Sequence, residues 1–356
     1  MEILINYRSV ARKNVEQIRS CEYMRRAFFI VGPTATGKSE LAADVAHEIG
    51  AEIVSADAFQ IYQGLDLLTA KPDGSTLAKT PHHLIGTTPL RDEMNAEKYR
   101  RAASRVIDEI NSRCKVAIVV GGSGLYIKGL TNGLAPLPES DPELREKLNL
   151  MSLDDLSAQL FELDPEMART IDLKNRRRVV RALEICLVTA KSASAQRQQW
   201  SGDAGNPESG DLQSAAGAIW RSPLLETAQT ESCASRAPGV FVFRDRNELY
   251  QRINQRVEMM FERGVIEEVR IAETTSATAS QMIGLRKIRE LLDGKISLPQ
   301  CIAEIQQATR RYAKRQLTWF RRQTNFVPLN LSFLTHKEAA KWISLRILSE
   351  TGTRDD

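Results

Sequence analysis

The sequence lacks the paired cysteines that mark a disulfide-rich domain or a structural zinc site. Five cysteines occur among the 356 residues, and none of them forms a C-x-x-C pair. They are Cys21, Cys114, Cys186, Cys233 and Cys301. Scattered thiols in an odd number argue against a disulfide framework and predict a protein of the reducing cytoplasm. The four histidines show no metal-ligand spacing, and the adjacent His82 and His83 fit either a turn or a substrate contact.

Long apolar runs and a strong net charge are also missing. No segment approaches the roughly 18 apolar residues that a membrane-spanning helix needs, so we expect no membrane association. The formal net charge is only +4, and a surface for an acidic partner must therefore come from local clusters of basic residues. No exposed apolar repeat suggests a partner helix, so we expect a monomer without an obligate protein partner.

The first 26 residues lack the continuous apolar centre of a secretory signal. Glu2, Glu16 and Glu22 also argue against a mitochondrial presequence, which would be poor in acidic residues. We expect residues 1–26 to be a dispensable N-terminal extension, and Met24 is a candidate start because it directly precedes the first predicted strand.

Four short apolar segments predict buried parallel strands. They are AFFIV (27–31), AEIVSA (51–56), KVAIVV (115–120) and VFVF (240–243). Between the first two, Leu41, Val45 and Ile49 share one helical face and Gly50 follows as a C-cap. Strands that alternate with helices indicate an α/β fold with a parallel-sheet core covered by helices.

Residues 27–135 and 239–330 are predicted to form this α/β core together with C-terminal helices. Residues 136–190 read as an inserted helical domain that opens with a capping box of Ser140 and Glu143. Residues 191–238 are rich in Ser, Ala, Gly and Gln without periodicity, which predicts a flexible loop. Residues 331–356 are expected to form a C-terminal tail.

A phosphate-binding loop joins the first strand to the first helix. The segment GPTATGKS satisfies G-x-x-x-x-G-K-[ST], and its strand and helix flanks are those that the motif requires. Its backbone amides and the helix N-terminus suit phosphate oxygens, Lys38 adds a full charge and Ser39 is placed to ligate Mg²⁺. The predicted diphosphate-binding residues are Gly32, Pro33, Thr34, Ala35, Thr36, Gly37, Lys38 and Ser39.

The acidic residue that usually completes an ATPase is missing after the third strand, which runs into Gly121 and Gly122. A carboxylate does follow the second strand, at Asp57, where open α/β sheets bind ligands. An isolated aspartate here is more often a turn or N-cap residue, but Asp57 lies beside the phosphate loop. The segment GGSGLY (121–126) is either a tight turn or a second substrate loop.

Two clusters of basic residues suit RNA phosphates. The first contains Lys174, Arg176, Arg177, Arg178 and Arg181, and the second contains Arg310, Arg311, Lys314, Arg315, Arg321 and Arg322. Such runs are often only solvated helix faces, yet two of them in a near-neutral chain predict RNA contact. Trp319, interleaved in the second, is more typical of a core residue than of a base-stacking platform.

These motifs together resemble the tRNA dimethylallyltransferase family (tRNA isopentenyltransferases). The matching segments are GPTATGKS, SADAFQIYQGLDLLTAKP, PHHLI, VVGGSGLYIKGL, NRRRVVRALEI, ERGVIEEV and ATRRYAKRQLTWFRR. The resemblance spans about residues 27–323, and the lack of a zinc-finger segment after Arg322 resembles bacterial members. Gly86, Ser123 and Leu285 stand where the family usually has Asp, Thr and Tyr.

The resemblance implies transfer of a dimethylallyl group from dimethylallyl diphosphate to N6 of adenosine 37, beside the tRNA anticodon, with release of diphosphate. It implies Asp57 as general base, Lys38 and Ser39 as further catalytic residues, and Mg²⁺ as cofactor. The tRNA anticodon stem-loop would contact Asp57, Ala58, Phe59, Gln60, Ser123, Arg145, Arg177, Arg178, Arg181, Arg286, Arg310, Arg311, Lys314 and Arg315, with residues 309–316 facing the RNA.

Two other functions fit parts of the sequence. A small-molecule kinase would use the same loop for ATP, but no run of arginines near the loop suggests a kinase lid. A nucleotide-dependent RNA-binding switch would need a base-reading motif, and we find none.

Overall fold

Six parallel strands form one sheet in the described part of the chain. The computed structural model describes residues 27–134, 137–138, 141–189, 192–194, 238–272, 274–323 and 326–351. The strands are β1 (Phe28–Val31), β2 (Glu52–Ala56), β3 (His82–His83), β4 (Ala117–Gly121), β5 (Gly239–Phe243) and β6 (Val327–Asn330). Their order is β3-β2-β4-β1-β5-β6, so β1 and its phosphate loop lie in the middle of the sheet.

The predicted α/β fold is confirmed, and its four apolar segments are the four central strands. The register pairs Phe29 with Val119 of β4, and Ile30 with Val240 of β5. Because side chains alternate across a strand, Phe28 and Ile30 enter one core cluster while Phe29 and Val31 enter the other. Both faces of the sheet are therefore buried, which is why these strands read as continuous apolar runs.

The described residues form thirteen α-helices, of which some cover the two faces of the sheet and others form a second group. They are α1 (Lys38–Ile49), α2 (Gly74–Leu77), α3 (Ala96–Ser112), α4 (Gly124–Asn132), α5 (Pro142–Leu150), α6 (Leu153–Leu163), α7 (Pro165–Thr170), α8 (Arg176–Thr189), α9 (Arg246–Glu262), α10 (Val265–Arg270), α11 (Leu285–Leu292), α12 (Leu298–Arg321) and α13 (His336–Thr351). Helix α1 ends at Gly50, whose φ of 69° gives the left-handed C-cap that the sequence predicts.

The segment expected to be a C-terminal tail contains a packed helix. Helix α13 buries Ala339, Ile343 and Ile347 in the cluster that contains Leu41 and Val45 of α1. The Ser344 hydroxyl also donates to the Glu48 carboxylate at 2.8 Å. The expectation of a tail is wrong for these residues, because a strip of apolar side chains covers the first helix.

The chain divides into two compact units, one of residues 1–131 with 233–356 and the other of residues 132–232. In the second unit, α5 to α8 surround a core that includes Leu156, Leu160, Val179 and Leu183. Helix α5 is capped by Asp141, whose carboxylate accepts from the amides of residues 143 and 144. The predicted cap Ser140, residues 1–26 and most of the predicted loop at 191–238 lie outside the described residues.

The cysteines of the described residues differ in their bonding state. Cys114 is disulfide-bonded, whereas Cys186 and Cys301 are buried free thiols, and one such bond is not the disulfide framework that the cysteine pattern argues against. Among the described residues no helix has the length and hydropathy to cross a membrane. No group of three or more His, Cys, Asp or Glu side chains in the same part of the chain could hold a metal ion.

The histidine pair has a structural function. His83 Nε2 lies 2.8 Å from a carboxylate oxygen of the buried Glu52, which also bonds Arg113 and Lys115. Burial raises the pKa of Glu52, but these bonds lower it more strongly, to about 2. His82 Nδ1 lies 2.8 Å from the Thr80 carbonyl oxygen. Each imidazole thus has one bonding partner within the protein, while His82 Nε2 is buried without a partner among the described residues.

Candidate active site

The phosphate loop forms a cradle of free amide donors at the carboxyl end of β1. None of the backbone hydrogen bonds of the described residues uses the amides of residues 35–39 as donors. Gly37 has a φ of 91°, a left-handed conformation that glycine adopts without strain. A Cβ at Gly32 would lie 2.1 Å from the Val242 carbonyl oxygen, so the loop needs glycine there as well. Free amides at a helix N-terminus form an anion site.

Two arginines hold the carbonyl side of this loop. Arg252 Nε donates to the Ala35 carbonyl at 2.9 Å, and Arg244 Nε donates to the Thr36 carbonyl at 2.9 Å. Both lie more than 200 residues away along the sequence, at β5 and on α9. Sequence reasoning therefore missed these two arginines, which hold loop carbonyls and do not form the run of arginines that a kinase lid would need.

Lys38 occupies the first position of α1 and lies within the influence of Asp57 and Arg256. Its ammonium donates to the Pro33 carbonyl at 3.2 Å. Burial lowers the pKa of Lys38 to about 8, attraction to Asp57 partly offsets this, and repulsion from Arg256 adds to it. An anionic ligand would stabilise the ammonium form of this lysine, because the negative charge of the ligand compensates for the solvation that burial removes.

Arg256 is a site residue that the sequence interpretation missed. Burial lowers the pKa of its guanidinium to about 10, and the Asp57 carboxylate acts against that shift. Its buried Nε has no hydrogen-bond partner among the described residues. The spacing of Arg252 and Arg256, four residues apart, places both on one face of α9. That spacing is the signal that could have found it.

Asp57 directly follows β2 and combines two functions. Its Oδ1 accepts from the Phe59 amide at 2.9 Å and from the Gln60 amide at 3.3 Å, which is the ordinary turn geometry of an aspartate. Its Oδ2 has no hydrogen bond to a described residue, and Asp57 lines a cavity with Thr34 and Arg256. The turn therefore fixes the carboxylate while one oxygen stays available to a ligand.

The same cavity has an apolar lining. Leu68, Val257, Met260, Met282 and Ile305 contribute aliphatic or thioether surface, and Phe59 and Tyr312 contribute aromatic rings. A cavity that joins an arginine, a carboxylate and Thr34 of the phosphate loop to such a lining suits a ligand with an anionic end and a short hydrocarbon chain.

The glycine loop after β4 is tied to the Asp57 turn. The Ser123 hydroxyl oxygen accepts from the Ala58 amide at 2.9 Å, and the Ser123 side chain acts against the rise that burial causes in the pKa of Tyr312. Gln60 Nε2 donates to the Ala70 carbonyl at 2.9 Å. The predicted residues Asp57, Ala58, Gln60 and Ser123 thus belong to one rigid group of loops.

The predicted RNA-binding arginines have different environments. On α12, Arg311 and Lys314 are exposed, Arg315 lies 5.7 Å from the Tyr312 ring centroid, and Arg310 donates to the Asn254 amide oxygen at 2.6 Å. Gln316 is only 6% exposed, so the expectation that residues 309–316 all face RNA is wrong there. Trp319 packs against the main core, as predicted.

Arg286 on α11 is exposed, with Nε 3.6 Å from the Glu290 carboxylate. In the second unit, Arg177 and Arg178 are exposed at the start of α8. Arg145 and Arg181 instead pair with the buried Glu184 at 3.0 and 2.6 Å. These two arginines therefore stabilise the helical unit itself, since an unpaired buried carboxylate would be costly.

Comparison with known proteins assigns the chain to a family. The sequence model described as IPP transferase matches residues 60–323, which is more than half of the chain. The chain belongs to the IPP transferase family. The family predicted from the motifs is confirmed, and the chain is an enzyme of the prenyltransferase class.

Relatives of the IPP transferase family match most of the chain. The tRNA dimethylallyltransferase of Akkermansia muciniphila is 36% identical over 324 residues, covering 91% of this chain and 99% of that protein. The tRNA dimethylallyltransferase 1 of Citrifermentans bemidjiense is 38% identical over 298 residues, covering 83% of this chain and 88% of that protein.

Solved structures of transferases have a similar fold. The full-length tRNA isopentenylpyrophosphate transferase of Bacillus halodurans superposes with a TM-score of 0.61 at 27% identity, covering 92% of this chain and 97% of its own. A eukaryotic dimethylallyltransferase acting on tRNA gives a TM-score of 0.67 at 21% identity, covering 93% and 86%. At that identity the second likeness supports the fold alone.

Proposed function

We propose that this enzyme transfers the dimethylallyl group of dimethylallyl diphosphate to N6 of adenosine 37 in tRNA. The products are diphosphate and N6-isopentenyladenosine. One observation carries the proposal: the free amides of residues 35–39 lie with Lys38 beside an available oxygen of Asp57. Family membership narrows the anion to a prenyl diphosphate and the acceptor to a tRNA.

The phosphate loop stabilises the leaving group. Diphosphate gains negative charge as the allylic C–O bond breaks, so fixed donors bind it more tightly in the transition state than in the ground state. Lys38, Arg256 and the amides of residues 35–39 are such donors. Arg244 and Arg252 hold the loop carbonyls, which keeps those amides in place before the substrate arrives.

Asp57 is suited to be the general base. The exocyclic amine of adenine is a weak nucleophile, because its lone pair is delocalised into the purine. Its proton becomes acidic as the new C–N bond forms, and a carboxylate within hydrogen-bond reach then accepts it. The turn that occupies Oδ1 leaves Oδ2 for this proton.

Mg²⁺ fits the donor set of this site. Magnesium usually takes one or two protein ligands and completes its shell with substrate phosphates and water. The Ser39 hydroxyl makes no hydrogen bond to a described residue and lies in the first turn of α1, so its oxygen is available to the ion. Bound there, Mg²⁺ would neutralise charge on the diphosphate.

The five-carbon chain would occupy the apolar side of the cavity. Val257, Met260 and Ile305 offer it aliphatic and thioether surface. This lining also excludes water from the allylic carbon, which suppresses hydrolysis of the reactive group.

The tRNA would bind through exposed basic side chains. Arg311 and Lys314 on α12 and Arg286 on α11 are exposed in the first unit, as are Arg177 and Arg178 in the second. We propose that residues 136–190 contact tRNA, as the exposed arginines of α8 suggest. A stacked base cannot reach an enclosed pocket, so adenosine 37 would be flipped out of the anticodon stack.

We place the enzyme in the cytoplasm as a monomer, because its substrate tRNA is made and used there. The disulfide at Cys114 is the one observation against a reducing compartment. Counting free thiols in protein purified without oxygen tests it: a free Cys114 supports the cytoplasmic assignment, and a persistent disulfide contradicts it.

The decisive experiment offers purified protein, Mg²⁺ and an unmodified anticodon stem-loop either dimethylallyl diphosphate or ATP. We expect prenylated adenosine with the first and no phosphate release with the second. Phosphate release from ATP without prenylation would favour a kinase or ATPase instead. The ATP experiment is needed because the phosphate-loop motif by itself also fits a kinase.

A further inference from the structure

The side chain of Gln316 joins two loops of the candidate active site. Its Oε1 accepts from the Thr34 amide of the phosphate loop at 2.9 Å. Its Nε2 donates to the Gly122 carbonyl of the glycine loop at 2.8 Å. Both ends of one buried carboxamide are thus bonded to backbone at the carboxyl ends of β1 and β4.

The Gln316 side chain lies very close to the backbone of the glycine loop. A Cβ at Gly122 would lie 2.3 Å from Gln316 Nε2 and 2.7 Å from the Gly32 carbonyl oxygen. Any residue other than glycine would therefore push the carboxamide or the phosphate loop out of place. The absence of a side chain at position 122 lets Gln316 reach both loops.

Helix α12 carries a second contact one turn earlier. Tyr312 precedes Gln316 by four residues, so the two share a helix face. Burial raises the pKa of the Tyr312 hydroxyl, and the side chains of Ser123 and Gln316 act against that shift. The Ser123 oxygen in turn accepts from the Ala58 amide. The inner face of α12 therefore joins the phosphate loop, the glycine loop and the Asp57 turn.

We propose that Gln316 is a positioning residue for the phosphate loop, setting the orientation in which the loop's free amides receive diphosphate. The proposal rests on the proposed function for the identity of the ligand. Thr34 is the last residue before those amides, and its own amide is the one that Gln316 occupies. Gln316 thus fixes one end of the cradle, while Arg252 and Arg244 fix the carbonyls of the next two residues.

Gln316→Met tests this inference, because methionine keeps the length of the side chain and removes both hydrogen bonds. The matched control is Gln300→Met, the same change at an exposed position of α12. Titration calorimetry with inorganic diphosphate and Mg²⁺ measures the cradle directly. Without the bond from Gln316 the loop amides are no longer held in the binding orientation, so we expect affinity to fall about tenfold in Gln316→Met and to stay unchanged in Gln300→Met.

Steady-state kinetics separates positioning from general damage. We expect KM for dimethylallyl diphosphate to rise about tenfold in Gln316→Met, with KM for the anticodon stem-loop unchanged. Equal diphosphate affinity in wild type and Gln316→Met would overturn the inference. Wild-type protein that binds no diphosphate would instead refute the proposed function.

Amide hydrogen exchange in the wild-type protein provides a test that needs no variant. The Thr34 amide should exchange slowly without ligand, and the amides of residues 35–39 should become protected only when diphosphate is added. Fast exchange at Thr34 in the free protein would overturn the positioning function, whether or not Gln316→Met folds.

Discussion

The carboxylate of Asp57 stabilises the charge of Arg256 in the interior of this enzyme. Burial lowers the pKa of the guanidinium to about 10, and Asp57 is the group that acts against this shift. The same carboxylate raises the pKa of Lys38, which burial lowers to about 8. One carboxylate thus supports two cations, so these three groups together keep a net positive charge before an anion enters.

Replacing Asp57 tests the general base. Asp57→Ala should lower kcat roughly 10²–10⁴-fold, the usual contribution of a positioned base, while affinity for the anticodon stem-loop is retained. Single-turnover kinetics and filter binding measure the two quantities. Asp108→Asn, at an exposed position of α3, should behave as wild type. If RNA affinity falls as far as turnover does, Asp57 is architectural.

We expect Arg256 to contribute mainly to the binding of diphosphate. Arg256→Gln removes the charge and keeps a polar head, and we expect the affinity for inorganic diphosphate to fall at least tenfold. A charge-assisted hydrogen bond is worth about 1.5–3 kcal/mol, which sets that scale. Calorimetry should give an unchanged affinity for Arg263→Gln, because Arg263 is exposed after the end of α9. Equal losses in both variants would indicate a nonspecific charge effect.

Diphosphate binding should weaken as pH rises above 8. The pKa of Lys38 is about 8 in the free protein, so above that pH an incoming anion must first recover a proton for the lysine. The loss of affinity between pH 8 and 9.5 should be several-fold, and Lys38→Met should remove the pH dependence that comes from the protein rather than from diphosphate.

The effect of pH on folding stability has the opposite sign. The unfolded lysine holds its proton up to about 10.5, so this group favours folding more as pH rises from 8.

The exposed face of α12 should control RNA affinity without affecting the diphosphate. The double variant Arg311→Ala with Lys314→Ala should weaken stem-loop binding and lower the slope of log K against log salt by about 1–2. Affinity for inorganic diphosphate should remain that of wild type. Lys295→Ala provides the control, since Lys295 is exposed near α11 and pairs with Asp293. An unchanged salt slope in the double variant would show that RNA binds elsewhere.

Helix α13 should be part of the stable core. Ile343→Ala removes a fully buried side chain and should lower the free energy of unfolding by about 2–5 kcal/mol. Leu345→Ala, on the same helix but 59% exposed, should change it by less than about 0.5 kcal/mol. Urea unfolding measures both. Similar stability of the two variants would mean that the helix adds little to the fold.

The sequence predicts the centre of the sheet better than its edges. Strands β1, β4 and β5 are continuous apolar runs because both of their faces are buried, and β2 is buried in the same way although it contains Glu52 and Ser55. Strand β3 has only two residues, and β6 contains Pro328 and is only partly buried. Neither produces an apolar run, so neither was predicted. Such short or half-buried strands are defined by their pairing with a neighbour.

The residues of the candidate site likewise fall into those that the sequence reveals and those that it does not. The phosphate loop and Asp57 could be found because each follows a recognisable strand within a short segment. Arg244, Arg252 and Gln316 could not, because they reach the loop from more than 200 residues away. Their side chains bond to backbone atoms, and a backbone contact leaves no complementary residue type in the sequence. Only the folded chain brings these groups together.

The bonds from Arg244, Arg252 and Gln316 also have a consequence for biosynthesis. A ribosome releases the phosphate-loop segment early, but the side chains that shape it emerge only after residues 244, 252 and 316 have been translated. A nascent chain that carries only the first half of the protein therefore lacks the assembled cradle. The phosphate loop therefore reaches its final form only near the end of translation, so a truncated product should not bind diphosphate.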